Sequence, residues 1–273
     1  MSHRITSWER AQATLIKKFN KRGMDAYYCA TKEEACQKIL DLMPENSSIA
    51  WGGSESMVEA GVMDAIRNKN YQLIDRSLAK NFQETRELFS QAVMADYFLM
   101  SSNAFTIDGE LVNIDGAGNR VACLAFGPAH VIVLASMNKM CANVEDAVRR
   151  VRTLATPPNA IRVNVNTPCA KTGVCADCNT PETICCQIEI TRRSRIQGRI
   201  IVVLCGEELG FSACGGSRKR HLPFRRSVVH TECFLFDRNA VSYQTKAAVR
   251  EFSSQQLRRL FFRFCVLIRF RLF

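Results

Sequence analysis

No stretch of 18 consecutive apolar residues occurs in this sequence, so a membrane-spanning helix is not expected. The first residues, MSHRITSWERAQ, lack the apolar run of a secretion signal. Together these absences point to a cytoplasmic protein. No internal repeat or low-complexity segment stands out, and there is neither a Walker loop nor a complete dinucleotide-binding fingerprint. Excess charge is also missing from most of the chain. The 37 Lys+Arg and 26 Asp+Glu give +11 overall, but residues 211–273 hold 13 of the basic and 3 of the acidic residues. Residues 1–210 keep 24 and 23, close to neutrality. Whole-chain basicity is therefore no reason to expect a nucleic-acid partner.

What the chain does have is cysteine, 13 in all among 273 residues. In a cytosolic protein these are thiols or ligands more often than disulfides. Five fall between Thr167 and Cys186, spaced C-x5-C-x2-C-x6-C with a further cysteine directly after the fourth. A C-x-x-C pair lets two thiolates reach one metal ion from a single tight turn. Gly173, Asp177, Asn179 and Pro181 are turn formers, so the segment reads as a loop. It has too little apolar side chain to order itself, and a metal ion or an iron–sulfur cluster would hold it. The plainer alternative is reduced thiols packed as small hydrophobes. The spacing matches no zinc-finger or ferredoxin pattern closely.

The rest alternates between helical and strand patterns. Trp8, Ala11, Leu15 and Phe19 predict a helix over 3–22, and Thr31 with Glu34 forms a capping box for a second. Further helices are expected through Met63 to Arg67, over 82–94, and after an Asn143 cap until Pro157-Pro158-Asn159 breaks the last. Strands are expected at 26–30, 48–51, 71–74, 96–100, 121–126, 131–135, 188–190 and 199–204. Several are continuous apolar runs, the mark of a mostly parallel sheet covered on both faces. We read residues 1–210 as one α/β domain.

Two polar constellations sit between these elements. Trp51-Gly52-Gly53-Ser54-Glu55-Ser56 lies at a strand end before a helix, where glycines let backbone approach an anion and free amides face it. An ordinary turn with Ser54 or Ser56 as helix cap is the plainer alternative. The second runs from Thr106 to Arg120, with two Asp-Gly turns around a strand-like 110–114. It fits a surface hairpin. At the carboxyl ends of parallel strands, however, Asn113, Asp115, Asn119 and Arg120 would line a ligand crevice. Arg120 is the expected partner of a carboxylate or phosphate, and the two loops are expected to face one pocket. His130, alone before an apolar strand, reads as structural rather than as a base.

An ordered set of motifs resembles one family. Trp51-Gly52-Gly53-Ser54, Met137-Asn138-Lys139, Glu145-Asp146-Ala147 with the arginines of 149–152, Pro157-Pro158-Asn159, Thr167-Pro168-Cys169, the stretch 173–178, Ile184-Cys185 and the stretch 206–211 follow one another as in the LUD (lactate utilisation) family, in its single-domain LutC/YkgG-like branch. The likeness covers about residues 8–211. It implies a Rossmann-like α/β fold similar to ribose-5-phosphate isomerase and the CoA transferases. It also implies a part in oxidising L-lactate to pyruvate alongside iron–sulfur partner proteins, with a small anionic metabolite as ligand. Because Ile184-Cys185 belongs to the motif, Cys169, Cys175, Cys178 and Cys185 are the expected ligands of an iron–sulfur cluster or Zn. Catalytic residues are not carried over by the resemblance. Two other readings stay open: an independent enzyme or binding protein for a phosphorylated or CoA-type molecule, and a partner-binding module with a structural zinc knot. Beyond Phe211 the likeness ends and a basic, Phe-rich tail follows, read as a membrane-surface helix, a nucleic-acid arm or sequence foreign to the fold. The abrupt change of composition favours the last.

Overall fold

Nineteen regular elements follow one another in the described residues, 3–211, of this computed structural model. In chain order they are α1 (His3–Lys21), β1 (Asp25–Cys29), α2 (Lys32–Asp41), β2 (Ser48–Trp51), α3 (Glu55–Glu59), α4 (Val62–Arg67), β3 (Gln72–Ile74), α5 (Phe82–Val93), β4 (Tyr97–Ser101), β5 (Ala104–Thr106), β6 (Leu111–Asp115), α6 (Asn119–Ala125), β7 (His130–Ser136), β8 (Met140–Cys141), α7 (Val144–Arg150), α8 (Thr156–Arg162), α9 (Pro168–Thr172), β9 (Gln187–Thr191) and β10 (Ile200–Cys205). The tail readings lie outside the described residues.

The apolar runs pair as one six-stranded, all-parallel sheet in the order β1–β10–β7–β4–β2–β3. Side chains alternate between its two faces. One face sends Phe98, Met100, Val131, Val133, Val202 and Leu204 against Trp8, Leu15 and Phe19 of α1 and Cys123 and Leu124 of α6. The other sends Ile49, Leu99, Ile132, Leu134 and Val203 against Ala35 and Ile39 of α2 and Met57, Val62 and Ile66 of α3 and α4. Both faces are dry, so these strands carry no polar alternation. Each buried Val, Leu or Ile contributes about 1.5–3 kcal/mol. The protein is thus an α/β sandwich with a parallel sheet between helix layers.

A second, four-stranded sheet, β8–β5–β6–β9, packs under α7 through Ala104, Val112, Ile114, Ala147 and Val151. The Asp108-Gly109 turn does join two antiparallel strands, β5 and β6, with Gly109 in the left-handed region (φ 82°). Residues 111–114 are buried, however, so this is no surface hairpin.

Three expectations are corrected. Residues 121–126 are helical within α6, not a strand: a short apolar run carries no decisive period. The Asp115 carboxylate accepts from the Arg120 and Val121 amides and starts the helix, and the buried positions 120, 121, 123 and 124 follow helical spacing. Pro157 and Pro158 do not break the preceding helix, because they occupy the first turn of α8, where the missing amide costs no hydrogen bond. One wide π turn, Val151–Ala155, joins α7 to α8. Within the cysteine segment, Pro168–Thr172 forms a short helix closed by left-handed Gly173.

Candidate functional site

Strand order reverses between β2 and β4: the chain leaves β2 toward β3 at one edge and leaves β4 toward β7 on the other side. Connections diverging in this way leave a crevice at the carboxyl ends of the strands. A cavity of about 380 Å³ opens there. Its walls come from the turn after β2 (Gly53 to Ser56), the ends of β4 and β6 (Ser101, Asn103, Asp115), Lys139 after β7, Arg150, Asn159 and Arg162 from the α7–α8 run, and Gly210 after β10. Arg76, Arg120, Arg150 and Arg162 bring four guanidinium groups and Lys139 an amine, against Glu55 and Asp115.

The two loops singled out in the sequence do meet here. Gly53, Ser54, Asp115, Asn119 and Arg120 line the cavity, while Gly52 and Asn113 lie behind it. Their roles differ from the expectation. Arg120 is 8% exposed and its fork is used up within the protein. Its Nη1 donates to Ser101 O (3.0 Å) and Asn113 Oδ1 (3.0 Å), and its Nη2 to Asn103 Oδ1 (2.9 Å) and Ile114 O (2.9 Å). Nε lies 3.7 Å from the Asp115 carboxylate. The expected bidentate partner of a ligand is therefore a structural cation that ties β4, β6 and α6 together. The stem of Arg120 explains Gly52: a Cβ there would sit 2.9 Å from Arg120 Cγ. The Ser54 hydroxyl caps α3, accepting from the Met57 amide at 3.2 Å. His130 lies at the amino end of β7, stacked on Tyr97 and bonded to Gly198 O, as a structural residue.

Further cations line this wall that the sequence does not mark as site residues. A Cβ added at Gly53 would lie 3.3 Å from Arg76 Nη2 and 3.9 Å from Arg162 Nη2, so both guanidinium groups end over this glycine. Arg162 is held in place by two neighbours: its Nε and Nη2 donate to Asn159 Oδ1 at 3.0 and 2.8 Å, and its Nη1 pairs with Glu55 at 3.3 Å. Buried Arg150 spans the back wall, donating to Asn103 O and Phe211 O at 2.7 Å each. Buried Lys139 forms the floor: its Nζ is 2.7 Å from Ser56 Oγ, 2.6 Å from Ser101 Oγ and 3.2 Å from Ser102 O. Burial lowers its pKa to about 7, helped by Arg150 and Arg120. Arginines scattered from Arg76 to Arg162 carry no local signal; only the Met137-Asn138-Lys139 motif hints at this lysine.

The cysteine segment forms a separate pocket of about 40 Å³, lined by Cys169, Cys175, Cys178 and Cys185 with Arg152, Thr156 and Asp177. Arg152 pairs with Asp177 at 2.8 Å across its mouth. Cys169 is buried and Cys186 is exposed. Burial raises the Cys185 thiol pKa, and the three companion cysteines push it further up, against a hydrogen bond to Thr156. At Cys178 desolvation is outweighed by hydrogen bonds with Thr180 and Thr183, and the pKa falls. Among the described residues no group of three or more His, Cys, Asp or Glu is already closed into metal-holding geometry. The thiols share a pocket but would have to draw in around an ion.

The family model described as the LUD domain matches residues 13–205. No curated protein matches the chain. Among solved structures, a DUF162 family protein from Deinococcus radiodurans is similar at 9% identity and a TM-score of 0.43, covering 72% of this chain and 96% of its own. Ribose 5-phosphate isomerase A from Neisseria gonorrhoeae is similar at 14% identity and a TM-score of 0.29, over 41% of this chain and 54% of its own.

Proposed function

Because this chain belongs to the LUD domain family, a lactate-utilisation-related group, we propose that it takes part in the oxidation of L-lactate to pyruvate by holding the acid's carboxylate in the cationic cavity. One observation carries the reading. Arg76 and Arg162 converge over Gly53 at the strand-order reversal, on the wall of the open cationic cavity. Arginine forks bind a carboxylate through paired N–H groups. Asn119 and the Gly53 backbone border the same space.

In this reading the protein works in the cytoplasm and hands electrons to iron–sulfur partner proteins, as the family resemblance implies. The four-cysteine pocket would hold a metal ion or a small iron–sulfur cluster on Cys169, Cys175, Cys178 and Cys185. An iron–sulfur cluster fits the redox context better than Zn, and four thiolates suit either. The main cavity is larger than a three-carbon acid fills. That extra room supports a second reading, in which the ligand is a phosphorylated or CoA-type molecule.

The test is calorimetric titration of the full chain with L-lactate, pyruvate and a phosphorylated metabolite of similar size. Saturable binding of lactate or pyruvate that weakens at least tenfold in the Arg76→Ala/Arg162→Ala protein supports the proposal. Binding of the phosphorylated compound alone would replace it with the second reading. Unchanged affinity in the double variant would remove the cavity from either.

A further inference from the structure

Lysine is rarely fully buried unless a carboxylate pairs with it. Lys139 is 5% exposed, and among the described residues no ion pair includes it. Its strongest charged influences are Arg150 and Arg120, both cations. Glu59 opposes them, but its carboxylate accepts from the Gly210 amide at 2.6 Å. The groups that do touch Nζ are two hydroxyls, Ser56 Oγ and Ser101 Oγ, and the Ser102 carbonyl. A hydroxyl can accept from an ammonium group or donate to an amine. This cage therefore satisfies either protonation state of Lys139, which a carboxylate would not. Gly210 comes close overhead: with φ of 70°, a Cβ there would lie 2.7 Å from Ser56 Oγ and 3.5 Å from Nζ. The missing side chain at Gly210 thus lets the chain after β10 pass closely over the amine, and both residues line the same cavity.

A desolvated lysine beside other cations is how a protein keeps an amine nucleophilic at neutral pH. The geometry points to Lys139 as an amine that condenses reversibly with the carbonyl of a 2-oxo carboxylate bound in this cavity, forming an imine. The inference rests on the carboxylate reading above. It adds a covalent step that the reading does not require.

The uncharged Nζ attacks the C2 carbonyl carbon. A C–N bond forms, and the carbonyl π pair moves to oxygen, which takes up a proton. The resulting carbinolamine loses that oxygen as water. Both protons on that oxygen come from the nitrogen, the first as the carbinolamine forms and the second as water leaves, with the Ser56 hydroxyl placed to carry one between nitrogen and oxygen. One amine and one ketone become one imine and one water, with no oxidant involved. A 2-hydroxy acid has no carbonyl and is held by charge alone. The site would therefore hold the oxidised member of the pair covalently and the reduced member only by ion pairing.

The experiment incubates the full chain with pyruvate and cyanoborohydride, then locates adducts by intact mass and peptide mapping, with pyruvate titrated calorimetrically in parallel. The expected result is one reduced adduct per chain on Lys139. It should saturate with pyruvate, be slowed by excess L-lactate and be absent from a folded Lys139→Met protein. Calorimetric binding without an adduct on Lys139 would overturn the imine and leave the carboxylate reading standing. No binding at all would overturn both. Adducts on exposed lysines at the rate seen on Lys139 would also overturn it, because the cavity would then confer nothing.

Discussion

Replacing Lys139 by methionine should flatten part of the pH dependence of this protein's stability. Burial, then Arg150 and Arg120, bring the lysine from its ordinary value of 10.5 down to about 7, while Glu59 and Cys205 act in the opposite sense. The unfolded chain keeps the ordinary value, so between the two the unfolded state binds more protons and stability rises with pH. Below the folded value the whole penalty is present, on the order of 5 kcal/mol for a gap of this size. From about pH 7 to about pH 8.5 the folded lysine is already losing its proton, and roughly 1.5 kcal/mol of that penalty is relieved. Buried thiols oppose this at higher pH. Cys205 is pushed up to about 12 and Cys123 to about 11, mainly by burial, so alkaline solution favours the unfolded state. Both proteins share those thiols, which cancel when slopes are compared. Urea unfolding at several pH values across this window supplies the slopes, and any change in absolute stability caused by the substitution drops out. A Lys139→Met protein with the same slope as the parent would refute the reasoning.

Arg120→Met should cost about 3–5 kcal/mol in urea unfolding, because two backbone carbonyls and two amide oxygens each lose a charged donor and Asp115 loses its cation. Gly52→Ala should cost about 1–3 kcal/mol, since Arg120 is pinned at its head and its stem cannot retreat from a new methyl group. Gly53→Val should leave the melting temperature near that of the parent but abolish pyruvate binding in calorimetry, because its side chain fills the space under Arg76 and Arg162. Protein purified without oxygen should carry about one metal site per chain by elemental analysis, and Cys175→Ser/Cys178→Ser should lose it. A colourless protein with zinc points to a single ion, and a brown one to a cluster.

Most of the fold could be read from the sequence because its dominant signals are local. The apolar runs of β7 and β10, the Thr31–Glu34 cap and the Asn143 cap each act within a few residues. Residues 121–126 are ambiguous in sequence because six apolar residues fit either period, and the deciding contact, from Asp115, comes from the preceding strand. Pro157-Pro158 has two meanings, ending one helix or opening the next, and the π turn before it selects the second. The place of the site was legible in the Gly52-Gly53 turn and the 113–120 loop. The assignment of its cations was not. Arg120 looks like a ligand residue in sequence and proves structural because Asn103 and Asn113 close around it. Arg76 and Arg162 reach Gly53 only through the three-dimensional path of the chain.

The central claim is that a small carboxylate sits between Arg76 and Arg162 at the carboxyl ends of β2 and β4. A crystal structure of the full chain soaked with pyruvate tests it most directly. The account predicts density for the carboxylate within hydrogen-bonding distance of both guanidinium groups above Gly53, with C2 directed toward Lys139 Nζ. A fully occupied pyruvate bound elsewhere, with this cavity filled only by water, would contradict it.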